Sequence, residues 1–351
     1  MLKKDHHSKS KEQDMHRKQA ITRMKRRNNR MKESPSKGKK MALKSLSNKH
    51  STSEKPDISI MMTSHHEPHL AAAIQAIITQ EIKAAYEIVI VSPDKEAEDL
   101  THMYAQRGYP VHWIKDQGKG KAAAINDALK EMKGKIIVFT DGDVTLLPHA
   151  INEIIRPFEN SKVGCVSGRV ISANAKNTML GYWSHLLADA GAHEIRKRES
   201  EKKFLECTGY LFACRNHVIK EIPVDFAEDT IIPYMFRKKE YDIAYAEHAQ
   251  VLVKNPTTWD DWLKQRVRTA KAHETLKKYV DIKEIPRVKS FTNEMIEGFF
   301  LAWSYPHTIK EYGWTALLMV ARLYMWIRVF YETRILRSQY NDKWTRIATA
   351  R

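Results

Sequence analysis

The stretch IIVFTDGD, residues 136–143, constrains the fold more than any other part of the sequence. Its first four residues are all apolar, which is typical of a parallel β-strand buried on both faces. Helices are predicted on either side of it, over residues 122–132 and 148–158. Asp141 and Asp143 therefore follow the carboxyl end of a strand flanked by helices, and open α/β sheets bind their ligands at that edge.

Two carboxylates separated only by Gly142 repel each other unless a cation lies between them. Carboxylate oxygens suit Mg²⁺ or Mn²⁺, and such a metal is normally shared with phosphate oxygens. The sequence therefore predicts a divalent metal site at Asp141 and Asp143. A plain turn is the alternative, because the dipeptide Asp-Gly is common in turns.

Three shorter apolar runs precede this stretch, over residues 58–62, 86–91 and 111–114, and a helix is predicted over 70–80. Strands that alternate with helices at this spacing form a parallel sheet with right-handed crossovers. Polar residues after the strands suit a nucleotide. The candidates for nucleotide contacts are Thr63, His65, Glu67, Ser92 and Asp94.

A glycine-rich turn, GKGK at residues 118–121, opens the helix predicted over 122–132. It lacks the third glycine of a dinucleotide-binding fingerprint, and it is not a Walker A loop. A glycine-rich turn with lysines at the start of a helix still suits a phosphate group. Lys121 is therefore a candidate phosphate ligand, and a solvated surface lysine is the alternative.

The pattern changes after residue 163. The expected elements are strands over 163–171, 207–215, 241–246 and 250–253, and helices over 177–198, 231–239 and 259–279. Glu228 and Asp229 open the helix predicted over 231–239. Acids in a first helical turn can simply complement the helix dipole, which is a strong explanation for Glu228. Asp229 is the better candidate for a general base.

Residues 1–56 carry 18 lysines and arginines against five acidic residues, so they hold +13 of the chain's net charge of +17. With few apolar residues, this segment is expected to be a disordered basic arm. An anionic membrane surface and nucleic acid are rival partners for it, and a solvated tail without a partner is a third possibility. The arm has no aromatic residue on which bases could stack, so nucleic acid is not the expected partner.

The carboxyl-terminal region, residues 286–351, is rich in aromatic side chains and predicts a helical extension. Its most apolar part, Gly313–Tyr331, contains Arg322 and Arg328. An arginine at the centre of a bilayer costs at least about 2.5 kcal/mol. We therefore expect a helix that lies at a membrane interface rather than spanning it, and packing against the preceding domain is the alternative.

Together these blocks resemble the inverting family 2 glycosyltransferases of the GT-A fold, from about Ile58 to about Lys278. Each block is weak alone, and their order and spacing carry the likeness. The matching blocks are the strand end at 60–64, KAAAIN at 121–126, DGD at 141–143, CTG at 207–209, ED at 228–229 and QRVRT at 265–269. The last resembles the QxxRW motif of cellulose and hyaluronan synthases, with Thr269 in place of tryptophan. Asp94 stands in a Ser-Pro-Asp sequence where many members have Asp-Asp.

The resemblance implies an α/β fold of the GT-A type, with a Rossmann-like, mostly parallel sheet flanked by helices and a C-terminal helical extension. It implies transfer of a sugar from a nucleoside-diphosphate sugar, with a UDP-sugar expected, to a lipid-linked or saccharide acceptor. Asp143, assisted by Asp141, would hold Mg²⁺ or Mn²⁺, and Asp229 would be the base. The implied donor contacts are Thr63, His65, Glu67, Ser92, Asp94, Lys121 and Asp141. The implied residues on the acceptor or diphosphate side are Gly209, Glu228, Gln265 and Arg268.

The expected domains are the arm at 1–56, a glycosyltransferase domain at 57–285 and the helical region at 286–351. Three cysteines without metal-ligand spacing, and no apolar signal segment, indicate a cytoplasmic location, which we expect at the inner face of the cell membrane. The rival functions are a sugar nucleotidyltransferase and a nucleic-acid-binding protein. The acidic block at 228–229 and the block at 265–269 argue against both.

Overall fold

The computed structural model describes residues 55–224, 226–276, 279, 298–336 and 349–350. The expected basic arm lies outside these residues except for its last two positions. Residues 286–297, the first part of the expected helical region, also lie outside the described residues.

The described residues form one mixed sheet of eight strands, in the order β3-β2-β1-β4-β7-β6-β8-β5. The strands are β1 (Ile58–Thr63), β2 (Tyr86–Ser92), β3 (Val111–Lys115), β4 (Ile136–Asp141), β5 (Thr145–Leu146), β6 (Val163–Ser172), β7 (Leu211–Arg215) and β8 (Asp242–Val253). Strands β3, β2, β1 and β4 are parallel neighbours, as predicted. Strand β7 runs antiparallel to both of its neighbours, β4 and β6. Strand β8 is parallel to β6 and antiparallel to β5. The mostly parallel sheet of the prediction is thus confirmed.

The register of the sheet places the polar strand ends side by side. Thr63, the last residue of β1, pairs with Asp141 of β4 on one side and with Val91 of β2 on the other. Ser92 ends β2 one residue later. Because these strands are parallel, their carboxyl ends form a common edge, which is where a ligand is expected to bind.

Helices cover both faces of the sheet. They are α1 (Leu70–Ile78), α2 (Lys95–Gln106), α3 (Lys121–Leu129), α4 (Ala150–Ile155), α5 (Met179–Leu186), α6 (Glu194–Glu201), α7 (Glu228–Arg237), α8 (Trp259–Thr275) and α9 (Ile309–Phe330). One core packs α1, α2 and α4 against the sheet through residues such as Ile74, Tyr104 and Ile151. A second core lies on the other face and packs α3 and α7 through Ile125 and Ile232.

Three sequence expectations need correction. The two strands expected at 241–246 and 250–253 are one strand, β8, whose residues between Tyr245 and Gln250 bulge away from β6 and remain extended. The helix expected over 177–198 is interrupted between α5 and α6 by a π-helical segment, Leu187–His193. The strand expected from residue 207 begins at Leu211, because Thr208 N donates to Ser167 Oγ instead of to a strand ladder.

Helix α9 packs on the domain by one of its faces. Leu318 and Met325 of α9 lie in a third core with Trp183 of α5 and with Trp262 and Val267 of α8. The helix begins with a capping box, in which the Thr308 and Glu311 side chains bond each other's backbone N–H. No helix in the described part of the chain is long and apolar enough to cross a membrane.

Candidate active site

Asp141 is held in place at the end of β4 by two hydrogen bonds to one oxygen. Thr63 Oγ1 donates to Asp141 Oδ1 over 2.7 Å, and Lys121 Nζ donates to the same oxygen over 2.8 Å. The threonine comes from the neighbouring strand β1 and the lysine from the first position of α3. Three sequence candidates from separate elements therefore meet at one carboxylate.

Lys121 also reaches the acidic pair of α7. Its Nζ lies 2.6 Å from Glu228 Oε1, so one ammonium bridges Asp141 and Glu228. Burial acts to lower the pKa of Lys121, but the attraction of both carboxylates outweighs it and holds the pKa well above its usual value. The lysine therefore stays charged, and it ties the end of β4 to the start of α7.

Glu228 and Asp229 differ in their surroundings, although both lie in the first turn of α7. Glu228 is buried, and burial raises the pKa of its carboxyl while Lys121 opposes that rise. Asp229 is half-buried and lies against Gly209, where an added β-carbon would stand 3.1 Å from Asp229 Oδ2. Gly209 therefore leaves room for the Asp229 carboxylate, the candidate base.

Tyr210 connects the carboxylates to helix α8, although its sequence context did not mark it as a site residue. Thr140 Oγ1 donates to Tyr210 O over 3.0 Å, and Gln265 Nε2 donates to Tyr210 Oη over 3.4 Å. Burial raises the pKa of the tyrosine, nearby Asp143 raises it further, and Arg266 opposes the rise. Its neighbours show that Gln265 of α8 and Asp143 after β4 face the same site.

Arg268, the other candidate on α8, also acts on Tyr210, because its charge lowers the pKa of that tyrosine. It is half-buried, as is Gln265. The structure thus brings Gln265 and Arg268 close to Tyr210, beside the aspartates at the end of β4.

The remaining nucleotide candidates form a second group at the ends of β1 and β2. Asp94 is buried, its Oδ2 accepts a hydrogen bond from His66 N over 2.5 Å, and its Oδ1 lies 3.1 Å from His66 Nδ1. Ser92 is fully buried and its Oγ donates to Asp94 Oδ2 over 3.2 Å, so it orients that carboxylate. Glu67 Oε1 accepts from His69 N at the start of α1. His65 contacts the ring of His66 at 4.5 Å between ring centroids.

The residues at the end of β4 fit a hard divalent cation. Asp141 and Asp143 supply carboxylate oxygens, the ligand type that Mg²⁺ and Mn²⁺ prefer. The charges of both carboxylates raise the pKa of Tyr210, so both act on the same buried side chain. Two side chains leave most of the coordination shell to phosphate oxygens and water, as is usual for Mg²⁺.

One other group of side chains could hold a metal in the described residues. The ligand atoms of His65, His66 and Asp94 all lie within 4.8 Å of one another. Two imidazoles make this a set for a softer ion than Mg²⁺. Asp94 already has His66 and Ser92 as hydrogen-bond partners, which explains its position without a metal.

Comparison with known proteins finds one family profile that matches most of the chain and several curated relatives. The profile described as Glycosyltransferase like family 2 matches residues 56–272. The probable glycosyltransferase YdaM of Bacillus subtilis is 24% identical over 248 residues, which are 63% of this chain and 56% of that protein. An uncharacterized glycosyltransferase of Methanocaldococcus jannaschii is 27% identical over 165 residues, 45% of this chain and 52% of that protein. The chain spans just over half the length of these curated relatives.

The fold is shared with a solved enzyme structure. The mannosyltransferase PcManGT from Pyrobaculum calidifontis, in complex with GDP-Man and Mn²⁺, superposes with a TM-score of 0.57 and 14% sequence identity. The match covers 82% of this chain and 89% of that one. The predicted GT-A fold is therefore confirmed.

Proposed function

The chain belongs to glycosyltransferase family 2, and we propose that it transfers a sugar, with inversion, from a nucleoside-diphosphate sugar to an acceptor hydroxyl. One observation carries this proposal: Lys121 bridges Asp141 and Glu228, so the acids after β4 and the acids that open α7 line one site. A donor diphosphate at the first pair would present its sugar to the second.

The donor side is built from the carboxyl edge of the sheet. A divalent cation, Mg²⁺ or Mn²⁺, held by Asp143 with Asp141 assisting, would neutralise the charge that grows on the departing diphosphate. Thr63 fixes the orientation of Asp141, and Lys121 adds a positive charge beside it. The Mn²⁺ and GDP-Man bound to the mannosyltransferase that shares this fold support a metal and a nucleotide-sugar donor. A UDP-sugar is the donor that we expect, and the strand-end residues that include His65, Glu67, Ser92 and Asp94 would contact it.

The acceptor side is built around Asp229. Its carboxylate would take the proton of the acceptor hydroxyl, which attacks the sugar from the face opposite the diphosphate. Positive charge develops on the sugar ring during such a displacement, as it does in glycoside hydrolysis. A single displacement inverts the anomeric configuration. Gly209 leaves room for the base, and Gln265 would orient the acceptor from α8.

The acceptor that we propose is lipid-linked or saccharide, in the synthesis of a cell-surface glycan or glycolipid, at the cytoplasmic face of the membrane. The outer face of α9 supports this location because Leu317, Val320, Ile327 and Phe330 are all more than half exposed. A row of exposed apolar side chains on one helix is typical of an interfacial membrane contact. The basic residues at 1–56 would add electrostatic attraction to anionic lipids.

Incubation of the purified protein with a panel of nucleotide-sugars and Mn²⁺ tests this function. The proposal predicts release of the nucleoside diphosphate from at least one donor. A sugar nucleotidyltransferase would instead form or consume pyrophosphate, so pyrophosphate turnover without diphosphate release would contradict the proposal. Tight RNA binding with no turnover of any donor would favour the nucleic-acid alternative.

A further inference from the structure

Three potential metal ligands meet between the ends of β1 and β2. His65 and His66 follow β1, and Asp94 follows β2 and is the N-cap of α2. One ligand atom from each of the three side chains lies within 4.8 Å of the other two. The parallel pairing of β1 with β2 brings them together, because it sets Thr63 beside Val91 just before each of the two groups.

The two oxygens of the Asp94 carboxylate have different surroundings. Oδ2 accepts hydrogen bonds from His66 N over 2.5 Å and from Ser92 Oγ over 3.2 Å. Oδ1 instead lies 3.1 Å from Nδ1 of the His66 ring. Carboxylates that bind metals are oriented in this way, by hydrogen bonds from groups that do not touch the metal. The bonds to Oδ2 fix the position of Asp94 without a metal, so they hold the carboxylate ready for one.

The backbone at His66 supports the same arrangement. Its φ is 47°, in the left-handed region that residues other than glycine rarely adopt. Such a conformation costs about 1–3 kcal/mol and is found most often at functional sites. The hydrogen bond from His66 N to Asp94 holds it in place, and the result is an imidazole that lies beside the carboxylate.

The separations between the ligand atoms suit Zn²⁺. Zinc bonds of about 2.0–2.1 Å at tetrahedral angles set ligand atoms about 3.3 Å apart. His66 Nδ1 and Asp94 Oδ1 are already 3.1 Å apart. The ligand atom of His65 lies within 4.8 Å of the other two, and rotation of this half-buried side chain can close the difference. Two imidazoles and one carboxylate favour zinc over Mg²⁺.

The group of ligands is open to solvent on one side. The side chain of His66 is 65% exposed, whereas that of Asp94 is 6% exposed. An ion can therefore enter from solution and meet a carboxylate that is already anchored. Three protein ligands would leave the fourth position of a tetrahedral zinc ion to water.

We propose that His65, His66 and Asp94 form a zinc site whose occupation blocks binding of the donor nucleotide. The blocking rests on the proposed function, in which His65 and Asp94 contact the donor. A zinc ion would engage the same imidazole and the same carboxylate, so zinc and nucleotide would compete. The site shares no ligand with the Mg²⁺ or Mn²⁺ site proposed at Asp141 and Asp143, and zinc is thus an inhibitor rather than a substitute for that metal.

Calorimetric titration with Zn²⁺ in the absence of nucleotide tests the site itself. His65→Asn and His66→Asn each remove one imidazole, and asparagine tolerates the left-handed backbone at position 66. We expect both variants to bind this zinc ion at least about tenfold more weakly than the wild type. The control His102→Gln removes an exposed histidine of α2 and should bind zinc as the wild type does.

Every protein in this titration keeps the other histidines of the chain, so the comparison isolates the site at His65 and His66. Thermal unfolding without zinc excludes misfolding, because neither substitution should shift the unfolding temperature by more than that of His102→Gln does. Equal zinc affinity in all four proteins would overturn the inference.

A second experiment measures competition, as the effect of Zn²⁺ on the binding of UDP at saturating Mn²⁺. At a zinc concentration about tenfold above its dissociation constant, UDP should bind about tenfold more weakly to the wild type and to His102→Gln. The effect should be smaller in His66→Asn. Zinc that displaces Mn²⁺ or binds UDP directly acts equally on all three proteins, so only the difference between them counts.

Equal weakening of UDP binding in all three proteins would contradict the competition. If the wild type binds no nucleoside diphosphate at all, the proposed function fails and the competition fails with it, while the zinc titration still decides whether the metal site exists.

Discussion

Lys121 Nζ lies 2.8 Å from Asp141 Oδ1, so the first residue of α3 is bonded to the last residue of β4. The same ammonium bonds Glu228, which opens α7. The lysine is thus a counter-ion for two carboxylates that would otherwise repel each other. Its charge has a structural role as well as the proposed contact with phosphate.

Replacement of Lys121 by methionine should destabilise the fold. It leaves Asp141 and the buried Glu228 without their shared counter-ion, and removal of one partner of a buried ion pair typically costs about 3 kcal/mol or more. Lys130→Met is the matched control, because Lys130 pairs with Asp127 at the surface, where an ion pair contributes about 1 kcal/mol or less. Urea unfolding of both variants measures the difference. Equal losses in the free energy of unfolding would show that Lys121 is not such a counter-ion.

Glu228 should make stability depend on pH. Burial raises the pKa of the Glu228 carboxyl above the usual 4.5, so the folded protein binds a proton at this carboxyl more tightly than the unfolded chain does. Its contribution to stability is fully present below pH 4.5 and is lost as the pH rises through the folded pKa. The Glu228→Gln variant should therefore lose less stability than the wild type between pH 4.5 and neutrality, and the exposed-site control Glu159→Gln should follow the wild type. Parallel urea-unfolding curves for all three would contradict the assignment.

Turnover should depend both on the ability of Asp229 to accept a proton and on the position of its carboxylate. Asp229→Asn keeps the shape of the side chain but removes its ability to accept a proton, and such a loss typically costs about 100- to 10,000-fold in rate. Gly209→Ala places a methyl group 3.1 Å from Asp229 Oδ2, so we expect a loss of at least about tenfold from displacement of the carboxylate. Donor binding should survive in both variants. In the control Gly313→Ala, the added methyl meets nothing within 4 Å, and turnover should be unchanged.

If Asp229→Asn loses donor affinity while transfer per bound donor stays the same, Asp229 belongs to the donor site. If Gly209→Ala transfers sugar at the wild-type rate, the position of the carboxylate does not limit catalysis.

The sheet edge could be predicted from sequence because buried parallel strands have a strong signature. The apolar runs of β1, β2 and β4 end at polar residues, and chain order alone places their carboxyl ends together. The two-residue strand β5 has no such signature, because pairing with β8 and not its own sequence makes it a strand.

The pairings within the site could not be predicted in the same way. Nothing in the sequence around Lys121 indicates that its ammonium reaches Glu228, because that contact depends on the packing of α7 against the second face of the sheet. Tyr210 was missed for a related reason. A tyrosine at the start of an apolar run is typical of a packed strand, and its hydrogen bond with Gln265 joins residues that are 55 positions apart in the chain.

The outer face of α9 should bind membranes independently of salt. Val320 and Ile327 are 66% and 59% exposed, so Val320→Glu together with Ile327→Glu should leave the fold intact but reduce flotation with anionic liposomes at all salt concentrations. Val224→Glu, at a 55% exposed apolar residue that is not part of α9, is the control. Deletion of the basic arm, residues 1–56, should weaken flotation mainly at low salt, because salt screens charge and does not screen apolar insertion. Full-length protein that stays unbound at low salt would contradict the membrane location.

The most direct test of the proposed function measures the dependence of nucleoside diphosphate release on Mn²⁺ in the wild type and in Asp143→Ala. Asp143 follows the end of β4, and a divalent cation held there would stabilise the departing diphosphate. We predict that the wild type is activated by Mn²⁺, and that Asp143→Ala retains its fold but loses both this activation and Mn²⁺-dependent donor binding. Asp127→Ala, which removes a surface acid, should behave as the wild type does. Unchanged Mn²⁺-dependent turnover in Asp143→Ala would contradict the account.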